Sequence, residues 1–485
     1  MMQQAALLLC ALAAAAVETT YPMSYTSCGV THTLQESPSR VVTMNQGVTE
    51  FLLAMGLEDK MAGTAYLDDE IWPRYAAAYA GIPVLSSSYP NETTIMNANA
   101  DFITGSYRSA FRERRTNATT GAPYGRGIFS GATVGPCDGA NSDFFPSGSN
   151  ATTSYSTCRP QLHAAGIGTW LEPGNCDDSA LNPQGGVSEE TVYEAITQMG
   201  AIFNVPHVAK QLVSEIRNDF SIAEQALANS GHKLNAVWLD CVGCCGDPWA
   251  DEYGNVNELL FVGAGTGAPN LIMHESGLTN MFAALEGGWA CVNASDVLAA
   301  EPDVMIIVDA AWDTALSKID YLHGRSDFCG ARFVQQADYI KIPFSASTLG
   351  PRNGAAALDM VAAAIHVTTG DATMNFQSGV DFFEPEVLAE RTASLLCPVE
   401  LQNVAYTGTP PPPAPTPPPP VGSTSNDDLP AWGVVVIVVV GVLFIAVLAF
   451  AGVMYYRERQ GRPIFVSLEG VQAERAAQQT STQKA

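Results

Sequence analysis

Positive charge is scarce in this chain. Its 23 lysines and arginines stand against 49 aspartates and glutamates, a formal net charge of −26 over 485 residues. A surface of that sign repels nucleic acid and anionic membrane, so neither is an expected partner of the soluble part. Catalytic motifs are also missing. The seven histidines, His32, His163, His207, His232, His274, His323 and His366, are scattered, without an H-E-x-x-H pair. No G-x-S-x-G elbow occurs either, so zinc-protease and serine-hydrolase chemistry find no footing, and no catalytic residue is assigned. The same scatter argues against bare zinc or manganese as cargo. Charge itself is absent from residues 431–456, AWGVVVIVVVGVLFIAVLAFAGVMYY. That run exceeds the roughly 20 residues a helix needs to cross a bilayer.

Asp427 and Asp428 precede the apolar run, and Arg457, Arg459 and Arg462 follow it. The positive-inside rule then places the large N-terminal part outside and a short tail in the cytosol. Residues 1–17 read as a signal peptide: AALLLCALAAAAV is a short apolar core, although MMQQ before it lacks a basic residue. The expectation is a single-pass type I protein of the plasma membrane. Once Cys10 leaves with that segment, ten cysteines remain: Cys28, Cys137, Cys158, Cys176, Cys241, Cys244, Cys245, Cys291, Cys329 and Cys397. An even number on the outer side suggests disulfides, with the pairing open. Sequons at Asn91, Asn117, Asn150 and Asn293 fall on the same side and are candidate glycosylation sites. Residues 410–420, PPPPAPTPPPP, form a polyproline II spacer, a stalk beneath a globular head.

Within the head, short apolar runs alternate with helical patterns. RVVTM, KMAGTAY, GIPVLS, DFITGS and GIGTWL read as strands of a first lobe; NAVWLD, LLFVGA, DVMIIVDA and YIKIPF read as strands of a second. The alternation predicts an α/β fold with mostly parallel sheets. Between the lobes, SEETVYEAITQMGAIF spaces Val192, Ile196, Met199 and Phe203 for one helix face, with Ser188 as its cap. Pro206 opens a second helix with Leu212, Ile216, Phe220, Ala223 and Leu227 on one face. The expected divisions are residues 28–186 for the N-terminal lobe, 187–205 for an interlobe helix and 206–398 for the C-terminal lobe. Residues 399–430 then form the stalk, 431–456 the membrane helix and 457–485 the cytosolic tail.

Two stretches echo each other. QGVTEFLLAMGLEDKM aligns with TGAPNLIMHESGLTNM, and ANADFITGSY with AAEPDVMIIVDA, so that Asp101 and Asp303 both enter a strand. Two matches in one order indicate two related lobes. The second copy opens with Gly263, Gly265 and Ala268, a formal G-x-G-x-x-A dinucleotide loop. Its counterpart TMNQGVTE has no such pattern, so both are read as strand-to-helix turns whose helix N-termini face the cleft between lobes. The C-x-x-C within CVGCC, residues 241–245, lacks a second ligand pair at zinc-finger spacing and reads as structural disulfide.

Several stretches together resemble a known family: RVVTMNQGVTEFLLAMGLEDKMAGTAYLDDEIWP, GIPVLSSSYPNETTIMNANADFITGSY, GAGTGAPN, EPDVMIIVDAAWDTALSKIDYL and IPFSASTLGPRN. They resemble the class III, helical-backbone solute-binding proteins that present iron–siderophores and cobalamin to bacterial importers. The resemblance runs over residues 39–396. With stalk and anchor added, the chain is similar to the membrane-anchored ferrichrome-binding receptors of marine algae. It departs from the bacterial pattern in the anchor, the sequons and the insertion SGATVGPCDGANSDFFPSGSNATTSYSTC.

The resemblance implies a ligand cleft between the lobes, lined by loops at the carboxyl ends of the strands. Candidate ligand contacts are therefore Asn45, Gln46, Tyr66, Trp72, Tyr89, Tyr107 and Arg108 from the first lobe. Trp238, Asp240, Thr266, Trp312, Asp313 and Arg352 come from the second. Packing of these aromatics within the lobes is the competing reading for each. The implied function is capture of a ferric siderophore, a neutral one of hydroxamate type because few arginines are present to balance a trianionic catecholate. The protein then has no cofactor of its own, since iron travels only within the chelate. A ferric reductase or uptake machinery is the further partner expected. The same fold binding cobalamin or another solute, or an adhesion or signalling ectodomain without ligand, are the alternatives.

Overall fold

The computed structural model describes residues 18–400, apart from 113–114, 117–122, 125–127, 130–137, 141–154, 177–178, 232, 246–258 and 370–375. Contacts divide the chain into Met1–Thr409 and Pro410–Ala485, and every described residue belongs to the first unit. The expected signal peptide, membrane helix and tail, Cys137, Asn117 and Asn150 lie outside the described residues, as does the stalk beyond its first two residues, of which Val399 is buried in the second lobe's core. Among the described residues no helix is long and apolar enough to cross a membrane.

The chain opens with a hairpin of β1 (Met23–Ser27) and β2 (Val30–Leu34). The first lobe then builds a five-stranded parallel sheet from β3 (Val41–Met44), β4 (Met61–Ala65), β5 (Val84–Ser86), β6 (Phe102–Gly105) and β7 (Gly168–Leu171), in the order β7-β6-β3-β4-β5. Every residue of β3, β6 and β7 is buried. This is why the predicted strands read as unbroken apolar runs: helices cover both faces of a parallel sheet.

The second lobe holds β8 (Leu234–Val242), β9 (Leu259–Gly263), β10 (Leu278–Asn280), β11 (Trp289–Asn293), β12 (Val304–Asp309) and β13 (Tyr339–Pro343). Strands β8, β12, β13 and β10 are parallel, whereas β9 runs antiparallel to both β8 and β11. On one edge of β8, β10 takes the first residues and β9 the last.

The internal echo is structural. Asp101 accepts from the Arg40 N–H at 2.9 Å and returns its own N–H to the Arg40 carbonyl at 3.0 Å. Asp303 does the same with Asn235, at 2.9 and 2.8 Å. In each lobe an aspartate thus pins the start of the neighbouring central strand. The aligned helices α1 (Gln46–Ala54) and α4 (Ala268–Glu275) also end alike, at Gly56 and Gly277, both with φ of 67°. Only glycine takes that left-handed value without cost.

Helix α2 (Glu189–Ile202) starts as the sequence indicates. Ser188 and Thr191 exchange side-chain and backbone bonds in a capping box. Its buried Val192, Ile196 and Met199 pack with Phe51, Phe102 and Trp170 of the first lobe. Helix α3 (Pro206–Ser230) follows after a tight turn, where a Cβ at Gly200 would strike Ala209. The expected bridge, residues 187–205, is thus packed into the first lobe, and α3 carries the chain across. At 25 residues α3 extends about 37 Å. Leu212, Ile216, Phe220 and Ala223 bury in one cluster with first-lobe residues and with Leu349, Ala357 and Val361 of the second lobe. The side chain of Leu227 lies outside the described residues.

A buried ion pair closes the junction. Arg352, at the start of α5 (Asn353–Thr369), donates from Nε to Glu50 Oε2 at 2.6 Å and from Nη2 to Oε1. Both residues are almost fully buried. Nη2 also reaches the Glu70 carbonyl and Nη1 the Ser378 carbonyl. Disulfides join Cys28 to Cys176, Cys241 to Cys244, Cys245 to Cys291 and Cys329 to Cys397, and Cys158 is bonded as well. CVGCC is therefore disulfide, and no metal-binding group of three or more residues occurs among the described residues.

Removing one partner of a buried pair leaves the other charge unmet. Arg352→Met and Glu50→Gln should each destabilise by about 3–5 kcal/mol in denaturant titration. The double variant should lose less than the sum, because it leaves no lone charge. Thiol labelling of the denatured, unreduced chain should find none of the nine described cysteines free; reaction within residues 241–245 would contradict the pairing.

Candidate functional site

The parallel strands of both sheets end toward the space between the lobes, and the loops after them meet there. Two backbone outliers mark the first lobe's side. Asn45, after β3, has φ of 77°, and Tyr66, after β4, has φ of 54°. Their N–H groups bond to the Ala65 and Ser86 carbonyls, which holds these strained turns in place. Asn45 accepts from the Tyr89 hydroxyl at 3.2 Å, while its own Nδ2 has no partner among the described residues. Tyr89 also meets Ser109 at 2.8 Å, and Tyr66 stands edge-on to its ring at 4.7 Å. These four side chains form one connected wall.

Opposite, Phe344 of the second lobe lies against Tyr107 at 6.4 Å and edge-on to Trp312 at 5.5 Å. Trp312 is 43% exposed, the most open of the cleft aromatics. The Tyr107 hydroxyl has no hydrogen-bond partner among the described residues. Burial drives its ionisation well above the ordinary value, reinforced by the charges of Asp68, Glu172 and Asp240. The charges of these three carboxylates all act on one tyrosine hydroxyl. Asp68 and Glu172 follow β4 and β7, and Asp240 sits near the end of β8 where the pairing register with β9 shifts. Burial pushes Asp68 up to about 7, with Asp69 adding to the rise and the Gln46 N–H and Trp312 indole opposing it. Asp240 also rises to about 7 by burial, against the pull of Lys318 and the Trp289 indole. Burial raises Glu172 strongly, opposed by Ser106, the Leu349 N–H and Asn175.

The remaining predicted contacts serve the frame. Gln46 spends its amide on the Glu70 carbonyl, at 2.6 Å, and on the Asp69 N–H. Trp72 is buried and donates to the Gln377 carbonyl across the lobes. Trp238 is wholly buried in the second lobe's core. Asp313 binds the buried Lys318 at 3.0 Å and the Val242 N–H, and so anchors the end of β8. Arg352 is committed to Glu50. Arg108 is half-buried and reaches the Cys176 carbonyl at 3.5 Å.

Thr266 requires a correction. It lies against Gly186 and accepts from the Val187 N–H at 2.8 Å, beside the approach to α2. Strand β9 is antiparallel, so its C-terminal end points away from the ends of the parallel strands. The glycine loop and the N-terminus of α4 therefore do not face the cleft mouth as α1 does. Gly265 and Gly267 serve close packing against residues 283–288, where a Cβ would collide with backbone.

Asp68, Glu172, Trp289 and Phe344 are not among the contacts expected from the sequence. The rule that selected the other loops would have selected Asp68 and Glu172, since LDDE and WLEP directly follow predicted strands.

Two further contacts close the cleft. Asp69 accepts from both the N–H and the hydroxyl of Ser345 at 2.9 Å, and the Ala311 N–H bonds to the Asp68 carbonyl at 2.7 Å.

No protein-family model and no curated protein matches the sequence. Solved structures do. A periplasmic binding protein from Veillonella parvula superposes with a TM-score of 0.51 at 22% identity, covering 72% of this chain and 98% of that one. A protein of an Fe3+-hydroxamate transport system from Saccharomonospora viridis gives 0.50 at 20% identity, covering 73% and 100%. The chain has the fold of the class III periplasmic solute-binding proteins, as its resemblance implied.

Stability should carry the mark of the buried acids. Asp68 and Asp240 hold protons up to about 7 when folded, against an ordinary value of 3.8. The folded chain therefore binds more protons than the unfolded one between these values, and its stability falls as pH rises through that window. Thermal unfolding at pH 5 and pH 8 should show the higher midpoint at pH 5. Asp240→Asn, which does not titrate, should reduce the difference.

Proposed function

We propose that the chain is a cell-surface receptor that captures a ferric chelate, a siderophore of hydroxamate type, in the interlobe cleft for iron uptake. The observation that carries this reading is the cleft itself. Strained turns and aromatic side chains from both lobes converge at the carboxyl ends of parallel strands, in a fold built to bind solutes. The Saccharomonospora viridis neighbour, from an Fe3+-hydroxamate transport system, supports the class of chelate. The disulfides agree with an oxidising, extracellular setting, and the sequence supports the signal peptide, glycosylation and a single membrane helix. Exposed Asn91 and Asn293 both stand at helix N-termini. The receptor binds without catalysis and has no cofactor of its own. Handing iron onward then falls to a reductase or uptake machinery.

Tryptophan fluorescence of the full-length chain tests the reading. A ferric trihydroxamate should quench emission saturably, and its iron-free form should bind more weakly. Trp312→Phe should remove much of the quench, and Trp312→Ala should weaken binding roughly two- to tenfold, the worth of one aromatic contact. Saturable binding of cobalamin with no response to any ferric chelate would replace iron with another solute.

A further inference from the structure

Two of the four sequons, Asn91 and Asn293, fall within the described residues, and each follows an edge strand. In the first sheet that edge is β5. The chain leaves its carboxyl end through Tyr89, whose hydroxyl meets Asn45 and Ser109 in the cleft wall. Asn91 comes next but one in the sequence, so at most about 7 Å of chain separates it from that wall. In the second sheet the edge is β11. Strand β9 runs antiparallel to both β8 and β11, so β11 points the same way as β8 and also ends toward the cleft. Register fixes the level: Leu260 faces Val242 of β8 on one side and Val292 of β11 on the other. Asn293 therefore stands one step past the end of β8, and the disulfide from Cys291 to Cys245 ties β11 to the turn there. Each lobe thus carries one sequon on its cleft-facing rim.

Both side chains can take a sugar without loss of local structure. Asn91 is exposed, and its Oδ1 accepts from the Thr94 N–H at 2.8 Å and from the Thr94 hydroxyl at 3.0 Å, capping the helix Glu92–Asn97. Neither bond involves Nδ2. Asn293 is exposed too, and its Nδ2 spends one hydrogen on Asp296 Oδ2 at 3.0 Å and keeps the other. The hydroxyl residues of the two sequons, Thr93 and Ser295, are also exposed. In the modification Nδ2 bonds to the anomeric carbon of a lipid-linked oligosaccharide diphosphate. The bond from that carbon to the diphosphate breaks, the lipid diphosphate leaves with the electron pair, and Nδ2 releases one proton to solvent. A glycosylated amide still has Oδ1 and one N–H, so the Asn91 cap and the bond to Asp296 both survive.

We propose that Asn91 and Asn293 carry N-linked glycans at the mouth of the cleft, one on each lobe, and that these screen it from macromolecules while passing solutes of chelate size. N-linked glycans are bulky and solvated. Trp312, 43% exposed, and the aromatics beside it are the kind of apolar surface that another protein covers. A glycan on each rim holds such a partner off by its volume, whereas a small solute passes between the two. This rests on the extracellular setting of the receptor reading and adds to it what has access to the cleft.

The test uses the full-length chain made through a eukaryotic secretory route. A glycosidase that turns glycan-bearing asparagine into aspartate, followed by mass spectrometry, should find Asn91 and Asn293 converted. Thr93→Ala and Ser295→Ala each remove a sequon and keep its asparagine. Access to the cleft is read from the part of the tryptophan emission that is lost in Trp312→Phe, quenched either by acrylamide or by a nitroxide fixed to dextran. With both sequons removed, the dextran probe should quench more strongly than in the unmodified chain, and acrylamide should quench both equally. Enzymatic removal of the glycans from the folded chain should have the same effect. Conversion at Asn117 or Asn150 with none at Asn91 and Asn293 overturns the inference and leaves the extracellular setting standing. So does equal quenching by the dextran probe with and without the two glycans. If no sequon is converted, the extracellular reading falls, and this inference with it.

Discussion

The ion pair between Glu50 and Arg352 ties together residues 302 positions apart in sequence. Glu50 lies on the first helix of one lobe, and Arg352 opens the last long helix of the other. Two opposite charges out of water repay their desolvation only when geometry is good and the remaining donors are met. Here they are met: the guanidinium also reaches the Glu70 and Ser378 carbonyls, and Glu50 accepts from the Trp72 N–H. This knot fixes the loop of residues 66–72 from beneath. Tyr66, Asp68 and Asp69 therefore approach the second lobe from a fixed base.

Around that knot the junction is a continuous apolar core. Helix α3 contributes to the same cluster as Phe51 and Trp170 on one side and Ala357 and Val361 on the other. Above this core a polar seam joins the lobes, where Asp69 accepts from Ser345 and the Ala311 N–H bonds to the Asp68 carbonyl.

Much of this was legible in the sequence, for reasons that also mark the limit. Parallel strands buried on both faces betray themselves as apolar runs, and the Ser188 cap and a proline in the first turn, Pro206, announce helix starts. The paired aspartates, Asp101 and Asp303, show at the level of sequence because each does a local job at a strand entrance. Strand direction leaves no such trace. LLFVGA looks like its neighbours, yet β9 runs the other way, and Thr266 moved from the expected cleft to the neighbourhood of Val187. Commitments between distant residues are equally silent. Nothing in the spacing says that Arg352 is already bound to Glu50, or that Asp313 is held by Lys318 and so is not open to a ligand. Nor does the spacing show that the charges of Asp68, Glu172 and Asp240, at three separate strand ends, act on the same Tyr107 hydroxyl.

The disulfides at Cys241, Cys244, Cys245 and Cys291 stand immediately beside Asp240, at the end of the strand that delivers it to the cleft. In a compartment where thiols are kept reduced, the turn after Asp240 loses both of its covalent ties, so the placement of that carboxylate depends on oxidising surroundings.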